Sequence, residues 1–328
     1  MMPARCLVVL LAMLAAPAAA QTIALDLINE YPATSISGEA DTFFADTVKR
    51  KSDGRVVIRP LPDAKSGLRS REQLKAVSEG RFALANSVGG TLGDESPVFL
   101  LSSLPFVTPS LADARALSEA AQPLYEHLFA ERKQKLLYIV PWPPSGIWSA
   151  EPIDSVAALK ALKIRTYDQT GTDVLARITS AAAIVSFSDL TAKLEAGAIN
   201  AVLSSGDGGA GRQLWKHLRY FSDISYAVPL SFTAISLDTW AGLDDAARAA
   251  MSDAARATTE RQWAALATRL TENFARMRTN GVTIDETPPA DVMAALRAAA
   301  EATVSEWLAR AEPEARAVFE QYRQKRRR

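Results

Sequence analysis

The chain has 328 residues, 37 basic and 37 acidic side chains, two histidines and one cysteine. A balanced charge leaves no electrostatic footprint for nucleic acid, and no such partner is expected. One cysteine excludes an internal disulfide and a cysteine-rich metal site.

The first twenty residues read as a signal peptide rather than as part of the fold. Arg5 supplies a positive start, Cys6 to Ala15 is an apolar run, and Ala18-Ala19-Ala20 suits a signal peptidase. The run is well short of the roughly 20 residues a membrane-spanning helix needs. A lipoprotein would need a cysteine after the run, and Cys6 is not there. The mature chain is therefore expected to begin at Gln21, in the periplasm, as about 308 residues without a thiol. Loss of Arg5 leaves 36 basic against 37 acidic residues. Such a protein relies on its core for stability.

Residues Thr22 to Ile28 suit a strand, Gly38 to Lys51 a helix, and Arg55 to Arg59 a second strand. Ser70 and Gln73 have capping-box spacing, which starts a helix at Arg71, and Phe82 to Ser87 suits a third strand. Strands alternating with helices predict a parallel sheet. Ser110 caps a helix to about Ala130, and Leu136 to Val140 is a strand. The proline-rich run Pro141 to Gly146 reads as a crossover between two lobes, because proline removes ladder donors. The pattern then repeats. A short helix follows Ser155, with strands at Leu162 to Thr166, Ala183 to Ser186 and Ile199 to Leu203. Helices are expected at Asp173 to Thr179 and from Ser188 to Glu195. Pro229 marks a second crossover before a strand at Leu230 to Leu237. Asp244 to about Asn280 has no internal Gly or Pro, and reads as one helix bridging both lobes or two with a kink. Val282 to Glu286 is a short strand, helices follow Pro288-Pro289, and Lys325 to Arg328 is a solvated basic end.

Motifs for catalysis are missing from this pattern. His127 and His217 read as surface or half-buried helix residues. No His pair has metal spacing and no Gly-x-Ser-x-Gly elbow is present. Gly206-Asp207-Gly208-Gly209 lacks the Lys-Ser/Thr of a phosphate loop and reads as a flexible turn. No cofactor, metal or catalytic residue is expected.

Segments along nearly the whole mature chain resemble the solute-binding subunits of TRAP (tripartite ATP-independent periplasmic) transporters, of DctP type. They are Gly54-Arg55-Val56, Ser87 to Gly90, Leu104-Pro105-Phe106, Glu151-Pro152-Ile153, Leu159 to Arg165, Phe187 to Leu194 and Asp238 to Leu243. The resemblance implies an α/β fold of the type II-like periplasmic binding-protein kind. Two lobes would flank a ligand cleft, with the long helix touching both. Residues 21–143 plus about 229–265 would form lobe I, and 144–228 plus about 266–328 lobe II. It also implies a monomer that hands a small organic acid to a small and a large membrane subunit when its lobes close.

The family's carboxylate-binding arginine matches Arg165. The chemistry suits that role, because guanidinium is planar, permanently charged and donates two parallel hydrogen bonds. The end of a parallel strand is also where open α/β sheets bind ligands. Ser204, Ser205 and Asp207 after one strand, and Asn86 and Ser87 at another, are candidate polar contacts. Trp148, favoured for its place on the crossover, and Tyr31 are candidate aromatic contacts, with Trp142, Trp215 and Phe232 behind them. The second cation of some relatives is missing from Ser145 to Ser149, so a monocarboxylate with an aromatic or branched body is expected. A dicarboxylate would need Arg69 or Arg71. Competing readings are a ligand sensor, the binding protein of an ATP-driven importer, and an exported enzyme using Asp207 beside Ser204 and Ser205 without a histidine.

Overall fold

The computed structural model describes residues 22–326; the expected signal peptide and the last two arginines lie outside them. Strand β1 (Ile23–Asn29) is followed by α1 (Ile36–Lys51), whose N-cap Ser35 accepts from Gly38 N at 3.1 Å. Ile36, Ala40, Phe44 and Val48 form its buried stripe at four-residue spacing. Then come β2 (Val56–Leu61), α2 (Ser70–Ser78) and β3 (Leu84–Val88). Helix α2 carries only half of a capping box, one residue earlier than the sequence suggests. Glu72 reaches back to Arg69 N at 2.8 Å, while Ser70 N donates to Glu30. Two short 3₁₀ turns lead to α3 (Leu111–Glu131), capped by Ser110, and then β4 (Gln134–Pro141).

Strand β5 (Ser145–Ser149) opens the second half, so only Trp142 to Pro144 lie between the two sheets. It is followed by α4 (Val156–Lys160), β6 (Lys163–Thr166), α5 (Gln169–Ala176), β7 (Ala181–Ile184), α6 (Leu190–Glu195) and β8 (Ala201–Ser205). Helix α5 starts earlier than expected because Asp168 caps it. Residues Gly206–Gly211 form α7 instead of a flexible turn, because Ser205 accepts from Gly208 N at 3.1 Å. Glycine is required there: a Cβ on Gly209 would overlap the Trp148 ring. Strand β9 (Tyr220–Ser222), missed in the sequence, precedes β10 (Leu230–Ser236) and α8 (Leu237–Ala241).

The five-stranded sheet runs β2-β1-β3-β10-β4, with β1, β2 and β3 parallel as expected and β10 antiparallel to β3 and β4. Helix α9 (Asp245–Thr279) is continuous, capped by Asp244, and packs on α1 and β4 on one side and on α7 on the other. It therefore bridges both halves. After it come β11 (Thr283–Asp285), α10 (Ala290–Arg310) and α11 (Pro313–Arg326). The six-stranded sheet runs β11-β9-β5-β8-β6-β7. Helix α10 packs on α4 and α5, but α11 returns to α3, and Tyr322 OH donates to Val107 O at 3.1 Å. The tail beyond residue 310 thus packs on the first lobe, not on the second as expected. Its Phe319 and Tyr322 share a core with Leu117, Phe129 and Phe232.

The two crossovers run side by side. Trp142 N donates to Pro229 O at 2.8 Å, Ser145 N to Ala227 O at 2.9 Å and Tyr226 N to Ser145 O at 2.8 Å. Proline at 141, 143, 144 and 229 withholds further donors, so this is a narrow two-stranded hinge.

Candidate ligand-binding site

Strand β6 lies between β7 and β8, and Arg165 sits near its carboxyl end. Its side chain is 2 % exposed. Nε donates to Val185 O at 2.8 Å and Nη1 to Leu203 O at 3.2 Å, so the backbone on both flanking sides orients the guanidinium. One Nη1 hydrogen and the Nη2 pair point away from these carbonyls, with the Tyr31 hydroxyl close enough to act on the guanidinium. Burial pushes the Arg165 pKa down, while Tyr31 and Glu30 nearby push it up. Its ring-face neighbour is Tyr167, 5.9 Å from guanidinium carbon to ring centre. Among the described residues no carboxylate lies within ion-pair distance of Arg165. A buried cation without an anion is costly.

Arg165 lines a small cavity of about 20 Å³. Tyr31 and Val88 come from the first lobe, Trp142 and Pro229 from the hinge, and Ser145, Tyr167, Ser204 and Ser205 from the second lobe. Tyr31 stacks on Phe187 at 4.1 Å and tilts against Trp142 at 4.7 Å, giving an aromatic cluster beside the cavity. Its N–H is held by Asn29 Oδ1 at 2.8 Å. Burial pushes the Tyr31 phenol well above its ordinary pKa, and Arg165 opposes that. An outer chamber of about 110 Å³ adjoins the cavity through Tyr31, Arg165 and Tyr167, and also meets Arg71, Gly90, Asp168 and Phe187.

The lobes meet closely around these spaces. Glu30 accepts from Ser70 N at 2.8 Å on its own lobe and from Ser188 N at 2.9 Å on the other. Arg69 makes two 3.0 Å hydrogen bonds to Asp189 across the cleft. Gly90 abuts Asp168, where a Cβ would overlap Oδ2. The structure is a closed form.

Of the residues expected at the site, Arg165, Tyr31, Ser204 and Ser205 line the inner cavity, as does Trp142. Four do not. Trp148 is 0 % exposed, packs edge-on to Phe221 and donates to Ser205 O at 3.2 Å. It lies three residues along β5 from Ser145, so the two project to opposite faces, and Ser145 takes the cavity side. Asn86 donates to Asp41 at 2.6 Å, two residues deeper on β3 than the cavity residue Val88. Ser87 points the other way, 2.8 Å from the Gln73 amide. Asp207 accepts from Ile36 N at 2.8 Å, and from Arg269 and Asn273 of α9. It ties the second lobe to the start of α1 and is occupied away from the ligand space. Phe232 and Trp215 are core residues. Arg69 is committed to Asp189, while Arg71 lines the outer chamber and is exposed. Tyr167 and Ser145 were missed. Tyr167 follows Arg165 directly, and that proximity to a strand end was the available signal. Among the described residues no cluster of His, Cys, Asp and Glu is arranged to hold a metal.

Two α/β lobes, paired hinge strands and a buried unpaired cation in a closed cleft define a solute-binding protein. Residues 28–310 match the bacterial extracellular solute-binding proteins of family 7, DctP, and the chain belongs to that family. Its solved relatives include DctP6 and DctP7 of Bordetella pertussis, extracytoplasmic solute receptors binding pyroglutamic acid. Each is 25 % identical over 92 % of this chain, covering 99 % and 100 % of theirs, with TM-scores of 0.87 and 0.88. A TRAP solute-binding protein from a marine metagenome, specific for pyroglutamate, is 25 % identical over 93 % of this chain and 99 % of its own, with a TM-score of 0.87. No curated protein matches the chain. The family comprises transport receptors, not enzymes. Among the described residues no helix is long and apolar enough to cross a membrane.

Proposed function

We propose that the protein captures a small monocarboxylate with a compact, flat body in the periplasm and delivers it, as a monomer, to the small and large membrane subunits of a TRAP transporter. The observation that carries this reading is Arg165, a 2 % exposed cation whose free donors have no carboxylate of the protein opposite them. The ligand carboxylate takes the guanidinium fork. Tyr31, Trp142 and Tyr167 enclose its body, and Ser145, Ser204 and Ser205 offer neutral hydrogen bonds. The bound acid bridges the lobes and favours the closed form, which is the form the membrane subunits read. The 25 % identical pyroglutamate receptors support a ring acid of that size.

A thermal-shift screen of organic acids tests the reading. Pyroglutamate and other ring monocarboxylates are expected to raise the Tm by several degrees at saturation. Stabilisation by succinate or malate alone would contradict it, because the inner cavity has no second cation.

A further inference from the structure

Tyr31, Arg165 and Tyr167 line both the inner cavity and the outer chamber, so they form the partition between the two spaces. At about 20 Å³ the inner space holds about one water. At about 110 Å³ the outer one falls short of the roughly 150 Å³ in which a ring the size of benzene sits inside a protein. A ring acid held by Arg165 therefore needs the two spaces joined, and part of the partition must give way. Arg165 is fixed by the carbonyls of Val185 and Leu203, and the Tyr167 hydroxyl lies 3.4 Å from Ser145 Oγ of the same lobe. Tyr31 is the partition's contribution from the first lobe. It is 6 % exposed, its ring lies on Phe187 of the second lobe, and its hydroxyl is close to the guanidinium. Parting the lobes withdraws Tyr31 and leaves Arg165 and Tyr167 in place.

Burial keeps this phenol neutral. A neutral hydroxyl oxygen accepts a hydrogen bond from a guanidinium, but more weakly than an ionised carboxylate that takes the fork with two oxygens. The hydroxyl thus satisfies part of Arg165 when the lobes meet on their own, and it yields to an acid. The Tyr31–Phe187 stack adds apolar contact to the same cross-lobe closure.

We propose that Tyr31 competes with the ligand for Arg165: its hydroxyl occupies the free guanidinium donors and seals the cleft in part of the unliganded population, and an acid binds only where the phenol has drawn back. This rests on the carboxylate-capture reading of Arg165 and makes Tyr31 the residue that sets its strength. Once displaced from the guanidinium, the ring lies along the body of the acid. An acid meets only the fraction of protein that is not sealed, so its apparent dissociation constant is the intrinsic one divided by that fraction.

The experiment is calorimetric titration of the full mature chain and of Tyr31→Phe with two ring monocarboxylates, pyroglutamate and benzoate, joined to small-angle X-ray scattering of both proteins without acid. Phenylalanine keeps the ring against Phe187 and Trp142 and removes only the hydroxyl. At least one of the two acids is expected to bind Tyr31→Phe about threefold or more tighter than it binds the wild type. The acid-free variant is expected to have the larger radius of gyration, because fewer of its molecules are sealed. A hydroxyl that only packs, or that touches the acid directly, gives equal or weaker binding in Tyr31→Phe. That result would overturn the proposal and leave the capture reading standing, as would tighter binding with no increase in the acid-free radius. Failure of both acids to bind either protein would overturn both.

Discussion

Arg165 is specified by its backbone as much as by its charge. The carbonyls of Val185 and Leu203 hold it in plane, and only a fork-shaped cation makes both bonds and still presents two hydrogens to an acid. Arg165→Lys is therefore expected to weaken ligand binding by about 100-fold or more, read by calorimetry, because a point charge satisfies neither carbonyl pair nor carboxylate fork. An unchanged dissociation constant would move the site elsewhere. A second buried charge, Asp41, accepts from Asn29, Asn86 and Tyr138 at 2.6–2.7 Å. Burial outweighs those donors and raises its pKa from 3.8 to about 6. A carboxyl raised in the folded state binds its proton more tightly there. Its contribution to stability is full below 3.8 and is lost as pH rises through about 6. The Tm of the wild type relative to Asp41→Asn should accordingly rise between pH 7 and pH 4; a difference that falls over that range would contradict the assignment. The residues legible in advance were those at strand ends. Arg165, Ser204 and Ser205 stand where parallel strands stop, and for Arg165 it was the family resemblance, more than position, that pointed to the cleft. Trp148, Asn86, Ser87 and Asp207 were misplaced because facing depends on register and on partners distant in sequence. Asp207 meets Ile36, 171 residues away, and nothing local in the chain encodes that contact.

At the scale of elements, local signals carried most of the fold. Side-chain caps at Ser35, Ser110, Ser155 and Asp244 start their helices, and the breaker-free run through α9 forms one helix of about 50 Å. Strand β9 was not legible because its three residues pair only through β5 and β11. Helix α7 was hidden by its glycines, which are there to admit Trp148 and not to make a flexible turn. The glycines after β3 have a comparable cause. Gly90 lets the first lobe close on Asp168 without a side chain between them. Gly90→Ala should lower ligand affinity by about tenfold or more, since its Cβ would overlap Asp168 of the other lobe more severely than the Ser103 hydroxyl of its own. Wild-type affinity in that variant would mean that the lobes do not meet at Gly90 in the bound state.

The whole molecule is two sheets joined by a narrow hinge, spanned by α9 and pinned at the cleft rim by Arg69–Asp189 and by Glu30 against Ser188. The Arg69 and Asp189 side chains are 37 % and 38 % exposed, so solvent screens them and the pair contributes little to overall stability. Its effect belongs to the lifetime of the closed state. Arg69→Ala should speed ligand release by about two- to fivefold in stopped-flow, with an association rate close to wild type. On the proposed function, an acid held by Arg165 keeps these lobes shut. Small-angle X-ray scattering of the wild type, with and without the acid that stabilises it most, tests this directly. A smaller radius of gyration is expected at saturation, and no such change in Arg165→Ala at the same acid concentration. An identical radius for the free and saturated wild type would contradict it.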